Sequence, residues 1–336
     1  MAVPDCLERA RLLVEPALEA AVDRLCADLR LPARYHFGWD EHNDSPNGVG
    51  AGKGLRPTLA LLSAEAVGAP AEVGVPGAVA VELVHNFSLV HDDIIDGDTK
   101  RRHRATLWSA FGVDNAVISG DALHTLAFQI LLDDPTSERL VATTRLVDAT
   151  AAMIAGQAAD MAFDDRLDVD LASCLAMEAD KTGALLGYAA SVGAVLAGAD
   201  TTQVDALEVF GQEMGLAFQA VDDVLGIWGD PMVTGKAAGN DLRERKKSLP
   251  VALVLDAGDS AADDLRAVYA GDGDLSDADV ARAAALIEEA GGRDRTVVEA
   301  RQHLETALDT LGGVDLVETV VVELAGLACF VADRDF

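Results

Sequence analysis

Two pairs of adjacent aspartates end strongly apolar stretches of the chain and are the first candidates for chemistry. The sequence holds 57 acidic residues, so its five Asp-Asp pairs arise in part by chance. The pairs at 92–93 and 222–223 close the stretches VAVELVHNFSLVHDDIID and MGLAFQAVDD. Carboxylates at the end of a core helix are costly to desolvate without a partner. The other pairs, at 133–134, 164–165 and 263–264, lie in polar or charged surroundings and predict solvated turns and helix caps.

The spacing within the first stretch suits a divalent cation. Asp92 and Asp96 are four residues apart, so on a helix they share one face about 6 Å apart along the axis. Two like charges at that separation repel each other unless a cation lies between them. Oxygen ligands that are few and open to water suit a Mg²⁺ ion that bridges to a substrate phosphate. The alternative is an ordinary acidic last turn, which would oppose the helix dipole.

Basic residues follow both acidic stretches closely. Asp96 is followed by GDTKRRHR, which supplies Arg101 and Arg102. Asp223 is followed by VLGIWGDPMVTGKAAGNDLRERKKSLP, whose basic residues are Lys236, Arg243, Arg245, Lys246 and Lys247. The two blocks lie 130 residues apart (222 minus 92). Together they match a metal-bridged diphosphate, with Mg²⁺ on the inner oxygens and Arg or Lys on the outer ones. Simple surface ion pairing is the alternative.

A third basic cluster, AGKGLRP at residues 51–57, superficially resembles a phosphate-binding P-loop. The P-loop pattern GxxxxGK[ST] would need glycine where Asn47 stands and serine or threonine where Gly54 stands. The cluster keeps Lys53 and Arg56, three residues apart at a predicted helix start, and these form a candidate anion pocket.

The elements that must position these residues are predicted to be helices. Half of the residues are apolar and only 4% are aromatic. Most of the chain repeats one pattern, in which an apolar-periodic segment is followed by a short break of Gly, Pro or Asp. No series of alternating strands is visible. We therefore expect an all-α fold, with residues 1–336 forming a single helical bundle domain.

The net charge of −31 argues against a nucleic-acid partner and against docking on an anionic membrane surface. The four cysteines are widely spaced and form no CxxC pair, as expected for a reduced cytoplasm. The N-terminal residues lack the pattern of a signal peptide. No run of about 18 uncharged apolar residues occurs, so no membrane insertion is expected.

Taken together, the motifs resemble those of the trans-isoprenyl diphosphate synthases, the polyprenyl synthetase family. The likeness runs from about residue 52 to residue 250. HDDIIDGDTKRR resembles the first aspartate-rich motif of the family and FQAVDDVLGIWGDPMVTGK the second, while GKGLRP, KTGALL and GDAL match further segments. The resemblance implies antiparallel helices around a central cavity (the isoprenoid synthase fold), with the two motifs facing each other across it. It also implies a homodimer.

The resemblance also implies roles for individual residues. Two or three Mg²⁺ ions would be held on an allylic diphosphate by Asp92, Asp93, Asp96 and Asp222, with Asp223 assisting. That diphosphate would be contacted by Arg101, Lys181, Gln219 and Lys236. Lys181 and Thr182 would also face the allylic cation. The second substrate, isopentenyl diphosphate, would be bound by Lys53, Arg56, His85 and Arg102.

The implied reaction is ionisation of the allylic diphosphate and attack on the cation by isopentenyl diphosphate, giving a linear product. The allylic substrate would be dimethylallyl, geranyl or farnesyl diphosphate. Phe87 lies five residues before Asp92, where family members use an aromatic residue as the cavity floor, and Ser88 beside it is small. This combination resembles the geranylgeranyl diphosphate synthases most. The alternative is that Phe87 is an ordinary core aromatic.

One departure from the family pattern leaves alternatives open. The second motif usually has a third aspartate, and Gly226 stands at that position. Either a metal ligand is missing, or Asp230 or Asp241 replaces it. A class I terpene cyclase is a rival interpretation, but it would not need the basic set for a second diphosphate. A catalytically silent partner subunit is another, and the intact first motif argues against it.

Overall fold

The structure, a computed structural model, is built almost entirely from helices. It describes residues 4–40, 54–102, 104–164, 166–229, 239–270 and 275–332. The first half comprises α1 (Asp5–Val22), α2 (Ala27–Phe37), α3 (Leu55–Ala66), a 3₁₀ turn (Ala71–Gly74), α4 (Val75–Ile95), β1 (Lys100–Arg101), β2 (Arg104–Ala105), α5 (Leu107–Phe111), α6 (Val113–Leu132) and α7 (Ser137–Phe163). The second half comprises α8 (Leu171–Glu178), a π-helical segment (Ala179–Gly183), α9 (Ala184–Leu196), α10 (Thr201–Trp228), α11 (Asn240–Arg243), α12 (Leu249–Ala257), α13 (Ser260–Tyr269), α14 (Asp277–Glu289), α15 (Gly292–Leu311) and α16 (Glu318–Ala332).

The centre of the bundle is α9, whose small and apolar residues are almost all buried. It packs against α3, α4, α7 and α10. Small residues allow these close approaches, because a β-carbon on Gly193 would lie only 2.6 Å from the backbone nitrogen of Ala64 in α3. The expected all-α antiparallel bundle is confirmed. That residues 1–336 form one domain stays a prediction.

The two aspartate motifs lie at the C-terminal ends of α4 and α10. Helix α4 packs against α6, and α10 packs against α9 and α15. Among the described residues, only the stretch Ala71–Ile95 is long and apolar enough to cross a membrane, and 61% of its apolar window is buried inside the fold. That burial is typical of a core helix.

Two short irregular elements interrupt the helical pattern, and the sequence predicted neither. A two-stranded antiparallel hairpin joins α4 to α5, with Lys100 opposite Ala105 and Arg101 opposite Arg104. The π-helical segment Ala179–Gly183 separates α8 from α9. Both elements carry residues that the sequence assigns to the site, so the irregular backbone occurs where chemistry is expected.

The first residues of the remaining acidic pairs lie at the ends of α6 and α7 and inside α13. Asp133 follows the last residue of α6 and forms an exposed ion pair with Arg24 at 2.5 Å. Asp164 follows the last residue of α7. Asp263 lies inside α13, where Asp259 is the residue that caps the helix. None of the four cysteines, all of which are described, forms a disulfide. A cytoplasmic location stays a prediction.

Candidate active site

The first motif forms the last turn of α4 and the residue that follows it. Asp92 is half-buried, and Asp96 is exposed. The backbone nitrogen of Asp96 donates to the carbonyl oxygen of Asp92 at 2.8 Å, which continues the helical turn through the motif. The two side chains therefore share a helix face, as the i, i+4 spacing predicts.

The charge on Asp92 lacks a direct counterion in the described part of the chain. Burial raises its pKa to about 6; the positive charge of Lys181 opposes this rise, and the neighbouring Asp96 adds to it. No described cation comes within ion-pair distance of Asp92 or Asp96. Two acidic side chains on one face, one of them poorly solvated, fit a hard divalent cation held by oxygen atoms.

Asp93 occupies a different environment from its neighbour. It is 1% exposed, and its Oδ1 accepts a hydrogen bond from Nε of Arg101 at 2.8 Å. Its Oδ2 is buried without a hydrogen-bond donor among the described residues. Burial raises the pKa of Asp93 although Arg101 opposes the rise. Asp93 therefore holds the first arginine of the hairpin, and its role as a metal ligand stays a prediction.

The second motif lies near the C-terminal end of α10. Hydrogen bonds connect it to the π-helical segment and to the start of α12. Asp222 is half-buried, and Asp223 is 4% exposed. The carboxylate of Asp223 accepts from Nε2 of Gln219 and from the backbone nitrogen of Leu249, each at 2.7 Å. Gln219 in turn accepts from Oγ1 of Thr182 at 2.9 Å. The structure thus brings three predicted site residues, Thr182, Gln219 and Asp223, into one hydrogen-bonded chain.

A buried glutamate that the sequence did not predict lies against this chain. Glu178, at the end of α8, is 2% exposed, and its side chain is hydrogen-bonded to that of Asp223. Burial and the neighbouring charge raise the pKa of Glu178 well above its usual range, and burial raises the pKa of Asp223 to about 7. No described donor reaches Oε2 of Glu178. Glu178 therefore stays protonated, and its carboxyl O–H donates a hydrogen bond to the carboxylate of Asp223.

Lys181 lies on the π-helical segment and faces the first motif. Its Nζ is 2.5 Å from Oδ2 of Asp160 on α7, a residue that the sequence did not predict. Its charge also lowers the pKa of Asp92. Helix α7 approaches this segment so closely that a β-carbon on Gly156 would lie 2.7 Å from Cα of Lys181. The segment that carries Lys181 is therefore packed between α7 and α10.

Lys246, in the block that follows the second motif, lies within electrostatic reach of the first motif. Burial opposes the positive charge of this side chain, but the carboxylates of Glu244, Asp241 and Asp96 outweigh burial and raise its pKa. Asp96 belongs to the first motif, and Asp241 belongs to the block that follows the second. Acidic groups from both blocks therefore act on the charge of one cation, as expected if the motifs face each other.

The side chain of Asp241 lies beside Gly226, the residue that replaces the usual third aspartate of the second motif. A β-carbon on Gly226 would overlap Oδ2 of Asp241 and lie 2.6 Å from its Cγ. The carboxylate of Asp241 is thus next to the position where the usual third aspartate would begin. Asp230, the other candidate for replacing it, lies outside the described residues.

Two basic residues of the second block bind protein groups. Arg243 forms an ion pair with Asp277 of α14 at 2.7 Å. Lys247 is 2% exposed and donates to the carbonyl oxygen of Asp164 at 2.6 Å. A local counterion holds Arg243 and a carbonyl oxygen holds Lys247, and their interpretation as diphosphate ligands stays a prediction. Lys236 lies outside the described residues.

A half-buried acid that the sequence did not predict, Glu82, acts on the charges of Arg56 and Arg102. Burial lowers the pKa of Arg56 to about 10, and the charge of Glu82 opposes this fall. Burial also lowers the pKa of Arg102, again opposed by Glu82. Burial and the charge of Arg56 lower the pKa of His85 well below its usual value, so its ring is neutral. Nε of Arg56 is buried without a described partner. Lys53, predicted for the same pocket, lies outside the described residues.

Phe87 lies one turn below Asp92 and belongs to an aromatic column. Its ring centroid is 4.9 Å from those of His91 and His124, and His124 is 5.0 Å from Phe128. The column fills the contact between α4 and α6, where a β-carbon on Gly120 would overlap the ring of His91. The hydroxyl of Ser88 donates to the carbonyl oxygen of His85 at 2.8 Å, and its role in product length stays a prediction.

Known proteins resemble the chain along nearly its whole length. A sequence model of the family described as polyprenyl synthetase matches residues 47–287. The (2E,6E)-farnesyl diphosphate synthase of Mycobacterium tuberculosis is 44% identical over 328 residues, covering 97% of this chain and 91% of that protein. The geranylgeranyl diphosphate synthase of that organism is 42% identical over 308 residues, covering 91% and 87%. The crystal structure of a polyprenyl synthetase from Streptomyces coelicolor has a TM-score of 0.93 and 51% identity, covering 98% and 99%.

Proposed function

The chain belongs to the polyprenyl synthetase family, and we propose that it joins isopentenyl diphosphate to dimethylallyl, geranyl or farnesyl diphosphate. It is a short-chain prenyltransferase, since its relatives are named farnesyl, geranylgeranyl and geranylfarnesyl diphosphate synthases. The observation that carries the proposal is the environment of Lys246. Asp96 and Asp241, which come from the two separate blocks, both act on its charge.

The metal in this proposal is Mg²⁺, on which the family generally depends. Asp92, Asp96 and Asp222 would hold two or three ions, and Asp241 would supply the carboxylate that Gly226 lacks. Bound Mg²⁺ would neutralise the departing diphosphate. No group of three or more His, Cys, Asp or Glu side chains in the described residues is arranged to hold a metal by itself. Diphosphate oxygens and water would therefore complete the coordination.

The side chains around the motifs would bind and orient the allylic substrate. Arg101, Lys181, Gln219 and Lys236 are the proposed contacts to its diphosphate. Arg101 is fixed by Asp93, and Lys181 is fixed by Asp160. Because these cations are already oriented, they favour the charge that develops on the leaving group. Thr182, tied to Gln219, would place its oxygen near the allylic cation.

Isopentenyl diphosphate would bind in the cluster of Arg56, His85 and Arg102, together with Lys53. Arg56 is half-buried, Arg102 is exposed, and the carboxylate of Glu82 acts on both, so these two cations beside one shared acid would offer donors to a second diphosphate. The double bond of isopentenyl diphosphate would attack the allylic cation, and the released diphosphate would accept the proton that is lost. The surrounding apolar helices exclude water that would otherwise quench the cation.

The aromatic column favours a product of limited length. Phe87 is 9% exposed and backed by His124, so it can act as a floor for the growing hydrocarbon tail. We propose geranylgeranyl diphosphate as the main product. Relatives of nearly equal similarity are named for farnesyl and geranylgeranyl products.

We also propose that the chain forms a homodimer through α6 and α7. Exposed apolar residues recur every seven positions along α7, which is two helical turns, and they are Leu140, Val147, Ile154 and Met161. Val117 and Ile118 on α6 are exposed as well. A stripe of this length on a helix at the surface is typical of a protein interface, and a second copy would cover it.

The test is incubation of the purified chain with isopentenyl diphosphate, one allylic diphosphate and Mg²⁺, followed by product sizing. The proposal predicts a longer linear diphosphate only when both substrates are present. A cyclase would release hydrocarbon from the allylic substrate alone. A silent subunit would give no product without a second chain.

A further inference from the structure

The hairpin that carries Arg101 and Arg102 contains an unfavourable backbone conformation at Arg102. Arg101 pairs with Arg104, and Arg102 follows directly in the turn between them. Arg102 has a φ of 51°, in the left-handed region that side-chain-bearing residues seldom adopt. An arginine held in this conformation requires contacts elsewhere to fix it.

Arg104 supplies such contacts by binding the N-terminal helix α2 and the residues after it. It is 6% exposed and donates to the carbonyl oxygens of Tyr35 at 3.0 Å and Asp40 at 3.2 Å. Its guanidinium lies 4.4 Å from the ring centroid of Tyr35. The hydroxyl of Tyr35 donates back to the carbonyl oxygen of Ala105 at 2.9 Å. Hydrogen bonds in both directions thus connect the second strand of the hairpin to α2.

A small cavity of about 30 Å³ lies between the Arg104–Tyr35 contact and Asp93 of the first aspartate motif. Asp93, Arg104, Tyr35 and His36 are among its lining residues. Oδ2 of Asp93 and Nε of Arg104 are buried without hydrogen-bond partners in the described residues. The volume admits one water molecule. Such a water can donate to Asp93 and accept from Arg104, which satisfies both groups.

Helix α2 also reaches the pocket proposed for isopentenyl diphosphate. Nε2 of His36 lies 3.1 Å from Oδ1 of Asn86, and Nδ2 of Asn86 donates to Oε1 of Glu82 at 2.9 Å. Burial and the charge of Arg102 lower the pKa of His36 to about 3. The ring is therefore neutral, and its Nε2 carries the proton that Asn86 accepts. Glu82 in turn faces Arg56 and Arg102.

We propose that Arg104 is a positioning residue which, with Tyr35 of α2 and one buried water, holds Arg102 in place to bind isopentenyl diphosphate. This inference rests on the proposed function. Arg104 contacts no substrate in this account. It acts through the hairpin backbone, whose turn conformation sets the direction of the Arg102 side chain.

The test compares Arg104→Gln and Tyr35→Phe with the wild type. The matched control is Arg266→Gln, because Arg266 on α13 likewise donates to two backbone carbonyls, those of Leu167 and Leu255. Calorimetry measures the Kd for isopentenyl diphosphate without allylic substrate, and kinetics give kcat and KM. We expect the Kd and KM for isopentenyl diphosphate to rise about tenfold in Arg104→Gln and about threefold in Tyr35→Phe. Arg104→Lys should recover part of the loss.

The control separates positioning from stability. Arg266→Gln should lower the melting temperature and leave the Kd unchanged. If Arg104→Gln does not fold, Tyr35→Phe decides the matter. A wild-type Kd in the folded Arg104 and Tyr35 variants would overturn this inference while the proposed function stood. A wild-type chain that neither binds isopentenyl diphosphate nor turns over would instead overturn the proposed function. A high-resolution crystal structure should show the water beside Asp93 and Arg104, and an empty cavity there would contradict the bridge.

Discussion

A β-carbon on Gly226 would lie 2.6 Å from Cγ of Asp241, so the missing side chain at position 226 leaves room for a carboxylate from another part of the chain. Asp241 lies 15 positions later in the sequence (241 minus 226). The departure from the usual second motif is therefore accompanied by an acid at the same place. We infer that the pair conserves the local negative charge while changing which residue supplies it.

Replacing Gly226 by alanine should displace Asp241 and weaken metal binding. We expect the Mg²⁺ concentration for half-maximal activity to rise roughly ten- to hundredfold, as is usual when a group that supports a metal site is lost. Asp241→Asn should have a similar effect, and the double variant should be little worse than either single one. Gly326→Ala is the control, since no atom lies within 4 Å of a β-carbon there. Fully additive losses would show that the two positions act independently.

Removing the Phe87 side chain should lengthen the products. Phe87→Ala opens space toward His124, so the tail can grow by one or more isoprene units before it meets the next ring. Adding His124→Ala should lengthen the products further. Chromatographic sizing of dephosphorylated products measures the change. Phe330→Ala, on α16, is the control and should leave the distribution unaltered. An unchanged distribution in Phe87→Ala would show that Phe87 is an ordinary core aromatic.

Lys181→Met should slow turnover about a hundredfold and shift its pH dependence. Burial raises the pKa of Asp92 to about 6, and Lys181 restrains that rise. Activity needs the ionised carboxylate, so it should fall as the pH drops through about 6. Without Lys181 the pKa of Asp92 rises further, and the acidic limb of kcat/KM moves to higher pH. The exposed Lys100→Met is the control. An acidic limb that stays in place would contradict the coupling of Lys181 to Asp92.

Glu178→Gln should stabilise the metal-free protein, and more so at high pH. The folded state raises the pKa of Glu178, so the folded chain binds more protons than the unfolded chain above the unfolded pKa. The free energy of unfolding therefore decreases as the pH rises from the unfolded-state pKa of Glu178 to its higher folded-state pKa. Glutamine does not titrate, so the variant does not lose this stability. Melting curves at pH 5 and pH 8 measure it, with the exposed Glu305→Gln as control. The same melting temperature shift at both pH values would argue against a shared proton between Glu178 and Asp223.

Charges on the α7 stripe should separate the proposed dimer. Val147 and Ile154 are 48% and 49% exposed, and aspartate at either position would be buried unpaired in an interface. Light scattering should give twice the chain mass for the wild type and the chain mass for Val147→Asp. Val322→Asp, which is 67% exposed on α16, should remain dimeric. A wild type that is already monomeric would refute the proposal.

The helices and both aspartate motifs can be predicted from the sequence, because helical periodicity and the spacing of Asp92 and Asp96 are local features. The hairpin cannot, since its strands are only two residues long. Glu178 cannot be recognised as part of the site either, because its contact with Asp223 depends on how α8 packs against α10.

The partners of the basic residues cannot be predicted from the sequence either. Arg104 looks like its neighbours in the sequence, yet its partner Tyr35 lies 69 residues earlier. Arg243 and Lys247 match the pattern of diphosphate ligands, but the packing of α14 and of the α7 end gives them other partners. Which arginine or lysine faces a substrate is therefore decided by tertiary contacts.

Two acidic clusters from distant parts of the chain are expected to converge on one diphosphate. A crystal structure with Mg²⁺ and a non-reactive allylic diphosphate analogue tests it most directly. We predict Mg²⁺ ions on the diphosphate, with Asp92 and Asp96 bound on one side and Asp222 on the other. Carboxylates of Asp92 and Asp222 that face separate surfaces, with no shared ligand between them, would contradict the account.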